Sequence, residues 1–460
     1  MQVNAQSYIT SITSHPDYSH INDNAGGLTP LKIVSAYNIP ASTGANVKIG
    51  IVSLDGGWST TDFNNSIADL GLSSLVNSAN ITTVLVDGAT GTFSSDLNSS
   101  AGGGSIENTL DLYCVAGMVP KANIVLYIGK NDSINYTTNP NTSASSNSTT
   151  SFANVINRAV NEKCDVITVS WGIGEIFSNV YPNYYCGDFL ASPLANASAK
   201  GITVLVASGD FGSVGSIAGN IVSAQYPATS SNVITVGGTN LTPNYILGNI
   251  RLVETVEYRD PNFDSRFGGG GGISSFIPLP DYQKGLTYQQ YFKANSTPGP
   301  VTPLTTRGIP DIAAAMNSYA LWFNGSVTSV GGTSAAAPIM AGMFARFMSN
   351  NSGRRPIPNA IHKILYNNLN SYYDITTGNN ATVTYLNGYA ASSNWDPVTG
   401  VGVPWGNLVY PMVTSGGTTV KTAANTWGYI ANIRVKTDTN TWSNVRAVWT
   451  KTINGWQQSY

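Results

Sequence analysis

Short apolar runs alternate with longer helix-like stretches along most of this chain. The runs at 47–52, 123–127, 165–169, 202–207 and 233–236 are strand-like in length and make-up, and they predict buried strands. The stretches 151–162, 189–200 and 334–349 have the length and make-up of helices. This alternation predicts an α/β fold, a parallel sheet with helices on both faces. Polar low-complexity runs, notably Asn131 to Thr150, read as surface loops.

Length fits one large domain plus an appendage, with an N-terminal extension over 1–27, a main domain over 28–414 and a small β-rich module over 415–460. Ser415-Gly416-Gly417-Thr418-Thr419 looks like a linker, and the residues after it are rich in Trp, Val, Thr and Lys. Lys436-Thr437-Asp438-Thr439-Asn440-Thr441-Trp442 is echoed by Lys451-Thr452-Ile453-Asn454-Gly455-Trp456. Two copies of so short a unit make little core, so they are expected to pack on the main domain, on a partner or on each other in an oligomer.

Only 10% of residues are charged and the formal net charge is −2. No broad basic field is available for nucleic acid, and a surface built from Ser, Thr, Asn, Gln and Tyr is indifferent to acid. The five glycines from Gly268 to Gly272 lack the Gly-Lys-Ser/Thr of a phosphate loop. No run reaches transmembrane length, and Met1-Gln2-Val3-Asn4-Ala5-Gln6 shows no secretion signal. Cys114, Cys164 and Cys186 are too few for a disulfide framework and read as buried thiols.

Gly331-Gly332-Thr333-Ser334-Ala335-Ala336-Ala337-Pro338 sets a serine between a glycine-rich turn and a small-residue helix closed by proline. Glycine lets the backbone turn sharply, and a serine at a helix start lies in the positive field of unpaired N–H groups, where an oxyanion is favoured. A plain N-cap serine has the same signature. A nucleophile needs a base, yet none of the three histidines is well placed: His15 and His20 lie in the polar N-terminal stretch, and His362 follows Arg354-Arg355-Pro356. A Ser-His-Asp triad also wants an Asp at the end of the first core strand. Here that strand runs into Ser53, with Asp55 two residues late.

Carboxylates offer another base. Glu107 and Asp111 are four apart and open an apolar, helix-like segment that leads into Asn123-Ile124-Val125-Leu126-Tyr127; on a helix they share one face and can share a proton. A solvated helix face has the same spacing. Asp210, in Ser208-Gly209-Asp210-Phe211-Gly212, stands at the end of the run at 202–207, where open α/β sheets build their sites. An Asx-turn is the plainer role.

In this order the segments resemble the sedolisin family of serine-carboxyl peptidases, relatives of subtilisin in fold that use Ser, Glu and Asp. The similarity covers about residues 28–412 and includes Leu28-Thr29-Pro30, Ala36-Tyr37-Asn38-Ile39, Ser170-Trp171-Gly172 with Glu175, and Tyr226-Pro227-Ala228. It continues through Val236-Gly237-Gly238-Thr239, the glycine run before Ser274, and Arg307 with Pro310-Asp311. The resemblance implies Ser334 as nucleophile, Glu107 as general base, Asp111 as the residue holding Glu107, and a protonated Asp210 in the oxyanion hole. It implies that Ser170, Trp171 and Gly172 offer backbone to an extended peptide of an unfolded protein substrate. An ionised Asp cannot donate to an oxyanion, and a carboxylate with a pKa of about 4 is a feeble base at neutral pH, so an acidic optimum is expected.

Asp374-Ile375-Thr376-Thr377-Gly378 and Asn394-Trp395-Asp396-Pro397 resemble the family's calcium loop, with carboxylates from Asp374 and Asp396 and carbonyls from Ile375, Ser392 and Asn394. The family usually has glycine where this chain has Ser392 and Asn394. Family members generally carry a long prosegment; here the mature-like start falls within the first thirty or so residues, so the prosegment has been removed or the chain is made without one. The tail is similar to short β modules of phage structural proteins. That implies an extracellular or virion-associated setting with a virion partner or an oligomer. Two alternatives accompany the endopeptidase expectation: a virion or adhesion scaffold that keeps the peptidase fold, and a tripeptidyl-peptidase.

Overall fold

The computed structural model describes residues 27–414 except 132–135, 140–149, 177–179, 216–220, 247–248, 256–266, 293–296, 352–360 and 382–386. It also gives the backbone of short strands before and after that span. Among the described residues, seven parallel strands form the centre. They are β1 (Lys48–Leu54), β2 (Ile81–Leu85), β3 (Asn123–Gly129), β4 (Val166–Val169), β5 (Thr203–Ala207), β6 (Ile234–Ile246) and β7 (Ile312–Ala315). Their spatial order is β2-β3-β1-β4-β5-β6-β7.

Helices cover both faces. Alternation along β1 sends Ile49 and Ile51 to the face packed by α1 (Ser100–Met118) and Val52 and Leu54 to the face packed by α2 (Thr150–Asn161) and α3 (Ala191–Ala199). Double coverage is why β1, β3, β4 and β5 read as unbroken apolar runs. The fifth run, 233–236, is the start of a much longer strand, β6. The Thr-rich edge strand β2, only partly buried, carried no apolar run to announce it.

The reactive helices depart from expectation in two places. α1 starts at Ser100, capped by Ser99 Oγ accepting from Gly102 N at 3.0 Å, so Glu107 and Asp111 lie inside the helix rather than at its opening. Gly102 and Gly104 disfavour helix by propensity, but tertiary packing overrides it. A Cβ at Gly102 would fall 1.9 Å from the Asp96 carbonyl oxygen, and one at Gly104 2.6 Å from that of Asp55. The other departure is Pro338, which does not close its helix: α4 runs over Thr333–Asn350 with Pro338 inside.

The N-terminal strands Asn4–Ala5 and Tyr8–Ser11 pair with Trp171–Gly174 and Ser326–Gly331 respectively. Within 415–460 the described strands form antiparallel pairs, Thr419–Ala423 with Thr426–Tyr429, Arg434–Lys436 with Trp442–Asn444, and Trp449–Thr452 with Gly455–Gln458. The rest of that module lies outside the described residues, as do His15 and His20.

Candidate active site

Ser334 is the second residue of α4, after Gly332 at φ 124°, and it is fully buried. The positive φ is one that glycine adopts without strain. Ser334 Oγ has no hydrogen-bond partner among the described residues. Pro338 lacks the N–H that would bond the Ser334 carbonyl within the helix, and that carbonyl instead meets Ser170 Oγ at 3.5 Å.

Ser170 links this helix to the carboxylates. Its hydroxyl donates to Asp111 Oδ1 at 2.9 Å, and Glu107 lies one turn earlier on the same face of α1. Both carboxylates are wholly buried, which sets aside a solvated face. Burial holds Asp111 well above the usual carboxylate range, against the pull of the Ser170 hydroxyl. Ser170, expected to serve a peptide through its backbone, therefore also has a side-chain task at the acid pair.

Asp210 follows the C-terminal end of β5. One of its oxygens, Oδ1, accepts from the Thr333 N–H and from the Thr333 hydroxyl, each at 2.7 Å. The other, Oδ2, is buried with no partner among the described residues. Burial raises Asp210 to about 7, with the two Thr333 bonds opposing it, so in mild acid Oδ2 carries a proton. The glycine run packs backbone to backbone on this segment: Gly268 N donates to Asp210 O at 2.9 Å and Gly270 N to Gly209 O at 2.6 Å. A Cβ at Gly270 would fall 2.5 Å from the Gly209 oxygen.

The strand Trp171–Gly174 pairs on one edge with Gln225–Tyr226 and on the other, antiparallel, with Asn4–Ala5, Asn4 opposite Gly172 and Ala5 opposite Trp171. Two residues without an assigned role complete the surroundings. Thr333 clamps Asp210, and its only sequence signal is its place beside Ser334. Glu175 follows the strand, fully buried and raised by burial to about 7. His362 is elsewhere, stacked on Tyr282 at 4.3 Å with Nε2 2.8 Å from Val233 O. Cys114, Cys164 and Cys186 are buried and unbridged.

Asp374 and Asp396 form a separate site. Among the described residues no cluster of three His, Cys, Asp or Glu side chains exists, so a cation here would draw on backbone oxygens too. Asp374 Oδ1 is buried without a partner among the described residues. Asp374 Oδ2 accepts from Asn394 N and Asp396 Oδ2 from Ser392 N, both at 2.9 Å. Asn394 has φ 71°, a left-handed conformation that asparagine tolerates, so loss of glycine there leaves the turn intact. Two carboxylates joined to one loop through Ser392 N and Asn394 N, with Asp374 Oδ1 unpartnered among the described residues, are hard oxygen donors of the kind that fits a cation such as calcium.

The profile of the subtilase family matches residues 97–395. Kumamolisin of a Bacillus species is 32% identical over 388 residues, 82% of this chain and 62% of kumamolisin. The tripeptidyl-peptidase SED1 of Arthroderma otae is 34% identical over 266 residues, 52% of this chain and 39% of that protein. The chain thus spans less than two thirds of the length of either relative. Among solved structures, Pseudomonas sedolisin, described as a serine-carboxyl proteinase complexed with two molecules of pseudo-iodotyrostatin, superposes with a TM-score of 0.63 at 25% identity. It covers 86% of this chain and 100% of the sedolisin chain.

Proposed function

The chain belongs to the subtilase family, on its sedolisin branch, and from that premise we propose that it is a serine-carboxyl endopeptidase acting in acid on unfolded protein. Ser334 Oγ attacks the scissile carbonyl carbon while Glu107 takes the hydroxyl proton. The resulting oxyanion receives hydrogen bonds from the Ser334 N–H, in the first turn of α4, and from the protonated Oδ2 of Asp210. As the C–N bond breaks, Glu107 returns the proton to the leaving amine. Water then attacks the ester on Ser334 with Glu107 again as base, and the proton goes back to Ser334. Asp111, which burial raises well above the usual carboxylate range, shares a proton with Glu107, so that the pair titrates as a unit.

The geometry of Asp210 carries this reading. Thr333 fixes one of its oxygens, and the other is buried, protonated in mild acid and unpartnered among the described residues. A carboxyl so disposed is suited to donate to an incoming oxyanion. The strand Trp171–Gly174 supports the peptide side of the proposal, because its edge already accepts an extended backbone, Asn4–Ala5, in antiparallel register.

Calcium at Asp374, Ile375, Ser392, Asn394 and Asp396 is part of the same proposal. When bound it would neutralise the carboxylates of Asp374 and Asp396 and join the loop after Tyr373 to that around Asp396.

The test is digestion of an unfolded protein from about pH 3 to pH 8 with product analysis. Wild type is expected to give internal fragments in acid, with Ser334→Ala and Glu107→Gln folded but inactive. Tripeptides alone would favour a tripeptidyl-peptidase. Hydrolysis at no pH would overturn the enzyme reading in favour of a scaffold that keeps the fold.

A further inference from the structure

Glu175 is not used by the mechanism above, yet it sits at the end of the strand proposed to receive the peptide. Its N–H donates to Ala224 O and its carbonyl accepts from Cys186 N, both at 2.9 Å, so its backbone continues the Trp171–Gly174 strand beyond the register of Gly174 with Gln225. The side chain leaves that sheet and reaches a different wall. Its Oε1 accepts from Ser274 Oγ at 2.7 Å and its Oε2 from Ser275 N at 2.6 Å. Ser274 and Ser275 belong to the strand Gly272–Pro278, which directly continues the glycine run packed on Ser208, Gly209 and Asp210.

The polarity of these bonds leaves little freedom. Ser274 Oγ already accepts from Ile277 N at 2.9 Å and Phe276 N at 3.3 Å. Both its lone pairs are occupied and its single hydrogen goes to Glu175. Ser275 N is a donor as well, so both carboxylate oxygens face donors. Alanine in this place would remove both acceptors and leave the Ser274 hydroxyl and the Ser275 N–H without their partner.

We propose that Glu175 is a positioning residue for peptide binding, a tie that holds the peptide-pairing strand Trp171–Gly174 at a fixed separation from the wall that carries the glycine run and Asp210. The inference rests on the peptidase reading and adds to it a specific consequence. A substrate long enough to lie along Trp171–Gly174 depends on the tie, whereas a substrate that occupies only the reaction centre does not.

The experiment compares wild type, Glu175→Ala and Ser274→Ala on two substrates: an extended peptide spanning several residues before the scissile bond, and an activated ester of a single acylated amino acid. Loss of the tie is expected to raise KM for the peptide by on the order of tenfold in each variant, with kcat changed less. Ester hydrolysis is expected to stay within about twofold of wild type. Equal losses on both substrates, or unchanged KM for the peptide, would overturn the tie. Should Glu175→Ala fail to fold, Ser274→Ala decides by the same criteria. A wild type inactive on both substrates would overturn the peptidase reading itself, and the tie with it.

Discussion

Thr333 gives two hydrogen bonds to the same oxygen of Asp210, from its N–H and from its hydroxyl, and thereby leaves the other oxygen, buried and without a partner among the described residues, for the proposed oxyanion. The hydroxyl also accepts from Gly209 N at 3.1 Å, which locks its direction. Replacing Thr333 with Val keeps the shape and removes the hydroxyl. It should lower kcat by about tenfold to a hundredfold with little change in KM, while Thr333→Ser restores most of the rate, as steady-state kinetics in acid would show. Ser334, Glu107, Asp111 and Asp210 stood out as candidates before the fold through the ordered resemblance, since each local context also fits a plainer role; the fold adds that all four are buried. Thr333 and Glu175 did not. Their importance lies in which distant atoms they meet, Asp210 for one and Ser274 with Ser275 for the other, and no local spacing reports such partners.

At the level of elements, the position of the acid pair depends on how closely α1 approaches the loop after β1. Asn108 Nδ2 donates to Gly57 O at 3.1 Å, and Ser105 Oγ accepts from Gly57 N at 3.2 Å. Gly104 lets the helix backbone lie against Asp55 and Gly56. Gly104→Ala should therefore cost about 1–3 kcal/mol of stability by overpacking and reduce kcat through displacement of Glu107. Chemical denaturation and kinetics on the same preparation would check both. The three successive glycines from Gly102 to Gly104 also explain why the start of α1 was hidden in the sequence: their propensity opposes helix, and only the close contacts permitted at Gly102 and Gly104 reveal the reason for those two. The strands were easier to anticipate, since burial on both faces imposes an apolar run that needs no partner to be recognised. β2 escaped because it lies at an edge and is rich in threonine.

At the scale of the whole molecule, a buried ion pair connects the sheet to the proposed metal loop. Arg307 meets Asp311 at 2.7 Å, and Asp311 also accepts from Thr235 N at 2.7 Å and from the Tyr366 hydroxyl at 2.6 Å. Burial alone would raise Asp311, but the positive charge of Arg307, the charge of His362 and the hydrogen bonds from Arg307 and Thr235 N together outweigh it and hold the carboxylate below its ordinary range. Acid therefore does not break this network until the pH falls beneath the normal titration of an aspartate, which suits a protein proposed to work in acid. The Asp311 carbonyl accepts from Val401 N at 2.8 Å, so order in the Asp396 loop is felt at the sheet. Chelation of calcium should accordingly lower the melting temperature by several degrees, and readdition should restore it. A melt indifferent to chelator and to added calcium would remove the metal from this account.

The most direct test of the serine-carboxyl mechanism is the pH dependence of kcat/KM for wild type against Asp210→Asn. Burial raises Asp210 to about 7, so its proton is present below that pH and lost as the pH rises through it. The wild-type rate should fall along this alkaline limb. Asparagine donates a hydrogen bond at every pH, so the variant, slower in acid, should show no such limb between about pH 6 and pH 8. An alkaline limb of the same midpoint in both proteins would contradict the assignment of Asp210 as the protonated donor.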